Sequence, residues 1–93
     1  DLNRNFPSQD WTPSQKKDRY YSGPKPESES ETQAVVKLIH QHHPKAIIHF
    51  HSWKPCVVYT GEPGRPIAEL LTKGNNYDCH EDIGYPTPGS LGQ

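Results

Sequence analysis

Between Ser28 and His43 apolar residues recur at helical spacing. Ala34, Val35, Leu38 and Ile39 fall on one stripe, with polar and charged side chains between them. The spacing predicts a helix over 28–43. Ser28 with Glu31, or Ser30 with Gln33, fits a capping box at its start, and Glu29 and Glu31 sit where the positive end of a helix dipole favours carboxylates. His40, His42 and His43 fill the last turn, where imidazoles suit capping and solvation, and Pro44 stops the helix. The pattern then changes. Ala46, Ile47, Ile48 and Phe50 make a short apolar run within "KAIIHFH", residues 45–51, of the length and composition of a buried strand. "CVVYT", 56–60, predicts a second strand. "RPIAELLTKGNN", 65–76, predicts a second helix, with Pro66 in its first turn and Gly74 at its stop. A helix, a very short link and a buried strand point to an α/β chain with a parallel sheet. Residues 1–27 are punctuated by Pro7, Pro13, Gly23, Pro24 and Pro26, and the end, "GYPTPGSLGQ", is equally rich in turns.

Composition narrows the picture. Ninety-three residues allow one domain at most, and only 30% are apolar, with 10 prolines, 7 glycines and a mean hydropathy of −0.99. Such a chain buries a modest core and is rich in loops. Its 5 Tyr, 2 Trp and 2 Phe, with a net charge of only −1, set it apart from disordered segments. The near-zero charge leaves no electrostatic footprint for nucleic acid or a membrane surface, and Lys16, Lys17 and Arg19 read as a solvated loop. No apolar run is long enough to span a bilayer, and no signal peptide is visible. Cys56 and Cys79 can pair or stay as buried thiols, and there is no C-x-x-C spacing for a metal knuckle.

Three places can carry chemistry. His49 and His51 alternate along the predicted strand, so both point to one face at its C-terminal end, where open α/β sheets keep their sites. Metal ligation and plain hydrogen bonding both remain open for them. Asn3 and Arg4 join an amide donor to a planar guanidinium fork, a pair able to clamp a carboxylate, although Asp1 could equally brace Arg4. Tyr85 precedes a Pro- and Gly-rich turn, from which a phenol could fold over a ligand or pack as an aromatic peg.

The order of these pieces is more specific than any one of them. "DLNRNFP", a helix opening in "PESESETQAV", an apolar run ending in "HFHS" and then "GYPTPGSLG" together resemble the zinc carboxypeptidase family, and within it the murein peptide amidases of bacterial cell-wall peptides. The resemblance covers essentially all 93 residues. It implies a mixed-sheet α/β/α sandwich, of which residues 1–93 are the central segment. It implies Zn2+ as cofactor, with His51 as the third metal ligand and His49 structural. Asn3 and Arg4 take the substrate's terminal carboxylate, and Tyr85 is the mobile tyrosine that closes over the substrate. The Ser52–Trp53 peptide could be cis. The family's His-x-x-Glu motif occurs nowhere in this sequence, and neither a ligand nor a base role transfers to Glu81, which precedes Tyr85.

The implied activity is a metallopeptidase or amidase that hydrolyses the bond next to a C-terminal residue with a free carboxylate, in a murein peptide. The 93 residues alone are expected to be inactive and to bind zinc weakly. The partners implied are the peptide substrate and whatever covers the apolar faces, either a second copy or the remainder of the same domain. Bacterial cytoplasm is the expected location, with periplasm or secretion as the alternative. Two other readings compete. One is an N-acyl amino acid amidohydrolase of the succinylglutamate desuccinylase or aspartoacylase type, against which the "PGSLG" loop argues. The other is a binding fragment that keeps the clamp without the metal.

Overall fold

Helix α1 runs over Ser30–His42, inside the span that the apolar stripe predicts. Its start differs from the expected capping box. Glu29 occupies the N-cap and makes no side-chain cap bond. The cap comes from a distant residue instead: Asn5 Oδ1 accepts the Glu29 N–H at 3.2 Å, and Asn5 Nδ2 donates to Ser28 Oγ at 2.9 Å. Gln33 Nε2 donates to the Glu27 carbonyl at 2.8 Å, so one member of each expected box, Ser28 and Gln33, is engaged elsewhere. At the other end His43 takes a left-handed conformation (φ 44°) and donates its N–H to the Ile39 carbonyl, with Pro44 following.

This computed structural model describes residues 1–93. The chain divides into two units: Asp1–Pro44 with Thr87–Gln93, and Lys45–Pro86. The first unit is organised by polar groups. Its buried side chains are all polar or charged: Arg4, Asn5, Ser22, Thr32 and Ser90. A single 3₁₀ turn spans Leu2–Arg4, with the Asp1 carboxylate accepting the Asn3 N–H. The terminal amine of Asp1 donates to the Tyr21 carbonyl at 2.7 Å. Asn5 is the hub, its amide donating also to the Ser22 and Lys25 carbonyls at 2.7 and 3.0 Å. Gly23 has to be glycine here. It sits at φ +82°, and a Cβ would lie 2.3 Å from Ser28 Oγ and 2.6 Å from Asn5 Nδ2.

The second unit is a β-α-β turn of chain. Strand β1 is Cys56–Val58, helix α2 is Arg65–Thr72 after a 3₁₀ turn at Glu62–Gly64, and strand β2 is Asp78–His80. The strands are parallel, with Cys56 opposite Asp78, Val57 opposite Cys79 and Val58 opposite His80. The Tyr59 N–H extends the ladder to the His80 carbonyl at 3.0 Å. Tyr59 and Ala68 are the buried apolar residues, and Arg65 Nε donates to the Tyr59 hydroxyl at 3.0 Å. Pro66 lies in the first turn of α2 as expected, but the helix stops at Thr72, short of residue 76. Lys73 is already extended, and Gly74 (φ +83°) turns the chain toward β2. "DCH" alternates polar, apolar, polar over only three residues, too short a run for a hydrophobic pattern to mark β2.

Three expectations are corrected. Residues 46–51 are not a buried strand: they lie alongside no ladder partner, and Ile47, Ile48 and Phe50 are exposed, Phe50 by 95%. An extended run becomes a strand only where a neighbour supplies N–H and C=O groups, and both strands of this unit pair with each other. The Ser52–Trp53 bond is trans, as no peptide bond in the chain is cis. Cys56 and Cys79 are free thiols, half-buried rather than fully buried.

Candidate functional site

Asn3 and Arg4 lie in the first unit, side by side in the 3₁₀ turn. Arg4 is buried, with its guanidinium 5.1 Å from the centroid of the Tyr20 ring and Nη1 donating to the Asn3 carbonyl at 2.6 Å. Asp1 does not brace it; that carboxylate is taken by the Asn3 N–H. The stack on Tyr20 holds the fork in place while leaving it charged.

Asn3 is held from a second direction. The Leu91 N–H donates to Asn3 Oδ1 at 3.0 Å. Around it the Thr87–Leu91 segment is tied down at several points. The Phe6 N–H donates to the Gly89 carbonyl at 2.9 Å, and the Gly89 N–H reaches Ser8 Oγ and Asp10 Oδ1 at 3.1 and 3.2 Å. Gly89 has φ +73°, and a Cβ on it would meet the Arg4 carbonyl oxygen at 2.3 Å. The "TPGSLG" part of the final loop is thus a fixed clasp over the Asn3–Arg4 backbone. Sequence reasoning placed that loop as a mobile element and missed Gly89 and Leu91. The φ-permissive glycine after Pro88 is the signal that could have found one of them.

His51 and Tyr85 lie in the second unit. His51 Nε2 and His49 Nδ1 share a proton at 2.7 Å, with the rings edge to face and centroids 4.8 Å apart. Partial burial first, and the neighbouring His51 second, hold the His49 imidazole below its ordinary value. Tyr85 is half-exposed between Gly84 (φ +87°) and Pro86.

The zinc that the resemblance implies needs three protein ligands at a catalytic centre. No group of three or more His, Cys, Asp or Glu converges in residues 1–93. The His49–His51 pair engages Nε2 of His51 and leaves its Nδ1 free, so His51 is fit to be one ligand. The donor set of this chain does not amount to a zinc site. The chain also has no helix long and apolar enough to cross a membrane.

A family model described as zinc carboxypeptidase matches residues 1–88. Murein peptide amidase A of Escherichia coli (strain K12) is 35% identical over 104 residues, which cover 99% of this chain and 42% of the relative. Murein peptide amidase A of Vibrio campbellii (strain ATCC BAA-1116) is 33% identical over 103 residues, covering 99% and 41%. The crystal structure of a murein-tripeptide amidase from Escherichia coli O157 superposes with a TM-score of 0.73 at 32% identity, over 98% of this chain and 42% of that one. The chain therefore spans about 42% of the length of the relatives it matches.

Proposed function

Because the chain belongs to the zinc carboxypeptidase family, we propose that its protein hydrolyses an amide bond beside a residue with a free carboxylate, in a murein peptide. The fold is the α/β fold of that family, represented here by two short parallel strands and two helices. The murein peptide is favoured over an N-acyl amino acid by the named activity of the relatives.

The observation that carries the reading is the Asn3–Arg4 pair. Two adjacent residues offer an amide and a buried, stacked guanidinium, and neighbouring groups already fix both. In the proposed complex Arg4 accepts the carboxylate in its fork and Asn3 Nδ2 donates to it, which orients the scissile amide. Tyr85 closes over the bound peptide and offers its phenol as a donor. His51 contributes one nitrogen to the metal, and the other ligands and the general base come from outside residues 1–93. Zinc, when bound by a complete ligand set, supplies the Lewis acidity for amide hydrolysis.

The test uses the full-length protein with a murein tripeptide containing the γ-D-glutamyl–diaminopimelate bond, against N-acetyl amino acids. Hydrolysis of the tripeptide alone is expected. Arg4→Ala should raise KM by about 10- to 100-fold, the range for losing a charged hydrogen-bond partner. Unchanged kcat/KM in Arg4→Ala would remove the clamp, and preferential turnover of N-acetyl substrates would move the protein to the amidohydrolase reading.

A further inference from the structure

Of the two oxygen- and nitrogen-bearing ends of the Asn3 side chain, one has its partner chosen by the fold. The atom facing the Leu91 N–H must be an acceptor, because a backbone N–H can only donate. That places Oδ1 toward Leu91 and turns Nδ2, with both its protons, the other way. The Leu91 N–H is itself held in place. Ser90 is buried and its N–H returns to the Thr87 carbonyl at 3.2 Å. Gly89 lies flat on the Arg4 carbonyl, where no side chain would fit, and is bonded on both sides, through its carbonyl to Phe6 and through its N–H to Ser8 and Asp10.

We propose that the Thr87–Leu91 turn sets the selectivity of the clamp, with the Leu91 N–H acting as the positioning group that makes Asn3 a pure donor. A terminal carboxylate, which only accepts, matches an outward Nδ2. A terminal carboxamide brings its own NH2 and needs an acceptor, which an Asn3 free to rotate by half a turn would provide as Oδ1. The turn thus locks out the rotamer that would welcome an amidated peptide. This inference rests on the clamp reading above and adds a determinant that touches no substrate.

The experiment replaces Leu91 in the full-length protein by its α-hydroxy acid, which turns one N–H into an ester oxygen and leaves every side chain in place. The readout is the ratio of kcat/KM for the murein tripeptide to that for the same tripeptide amidated at the carboxylate beside the scissile bond. The ester should lower this ratio by about 10-fold, the scale of one hydrogen bond to a charged group. A drop of equal size on both substrates would overturn the proposal, since it would mean that the turn only supports the fold. An unchanged ratio in the ester, with a collapsed ratio in Asn3→Ala, would overturn it as well while leaving the clamp standing. An unchanged ratio in both Asn3→Ala and Arg4→Ala would instead defeat the clamp reading, and this proposal with it. The wild-type protein gives a second measurement that no folding defect can obscure. A scalar coupling across the hydrogen bond, from the Leu91 amide nitrogen to the Asn3 side-chain carbonyl carbon, is expected by NMR, and its absence would exclude the orientation.

Discussion

Asn5 has no accessible surface, and its side-chain NH2 serves three acceptors with its two protons while Oδ1 accepts one bond, all to residues 17 to 24 positions away. Its carbonyl also accepts the Glu27 N–H at 2.8 Å. A residue of this kind is costly to remove, because each partner is left facing the vacancy rather than water. Asn5→Ala is expected to destabilise the protein by about 2–4 kcal/mol, the range for breaking a buried hydrogen-bond network. Asn5→Asp should recover little, since a carboxylate keeps the acceptor for Glu29 and loses both N–H donors. Urea unfolding of the two variants checks this, and an Asn5→Asp protein as stable as wild type would refute the donor argument. At this scale the sequence was partly legible. Asn3 and Arg4 stood out because their chemistry is read from residue type. The contacts of Asn5 did not, because they lie where the chain returns, and no local pattern encodes a contact 17 to 24 residues away.

At the scale of elements, α1 was legible and the extended run after it was not. The stripe of Ala34, Val35, Leu38 and Ile39 fixes a helix through periodicity alone, whereas an apolar run such as 46–51 is a strand only in the company of other strands. Chemistry at the N-terminus of α1 can be tested by pH. The Glu31 carboxyl is held below its ordinary value of 4.5, by a backbone hydrogen bond first and by the Ser30 hydroxyl second. A carboxyl depressed in the folded state stabilises above its unfolded pKa, and the contribution is lost as pH falls through the folded one. Glu31→Gln should therefore melt slightly lower than wild type at pH 7, and the two melting curves should converge as pH falls below 4.5 and through the lowered folded-state value. A constant offset at all pH values would show that the charge is irrelevant. The turn at Thr87–Leu91 makes the sharper element-scale case. Gly89→Ala pays about 1–2 kcal/mol for a left-handed residue with a side chain, and must also displace the Arg4 carbonyl. Thermal unfolding should shift down, and KM for the murein tripeptide should rise together with it.

For the molecule as a whole, the balance of buried and exposed groups decides what residues 1–93 can do by themselves. Tyr59 and Ala68 are the only buried apolar side chains, while Leu38, Ile48, Phe50, Trp53 and Leu70 are each more than half exposed. Large exposed apolar area marks a surface that binds something. The same incompleteness holds for the metal. His51 Nε2 is hydrogen-bonded to His49 Nδ1 at 2.7 Å and no group of three His, Cys, Asp or Glu converges, so residues 1–93 offer one ligand and cannot enclose an ion. The 93-residue chain should therefore lose added zinc on dialysis against a modest chelator, whereas the full-length protein should retain one equivalent. His51→Ala in the full-length protein should abolish that retention, and Arg4→Ala should leave it intact while KM rises, since in the proposed complex the clamp and the metal act on different atoms of the substrate. Metal analysis after dialysis reads both variants directly. Stoichiometric zinc held by the 93 residues alone would contradict the requirement for ligands from elsewhere, and zinc retained by His51→Ala would remove this residue from the ligand set.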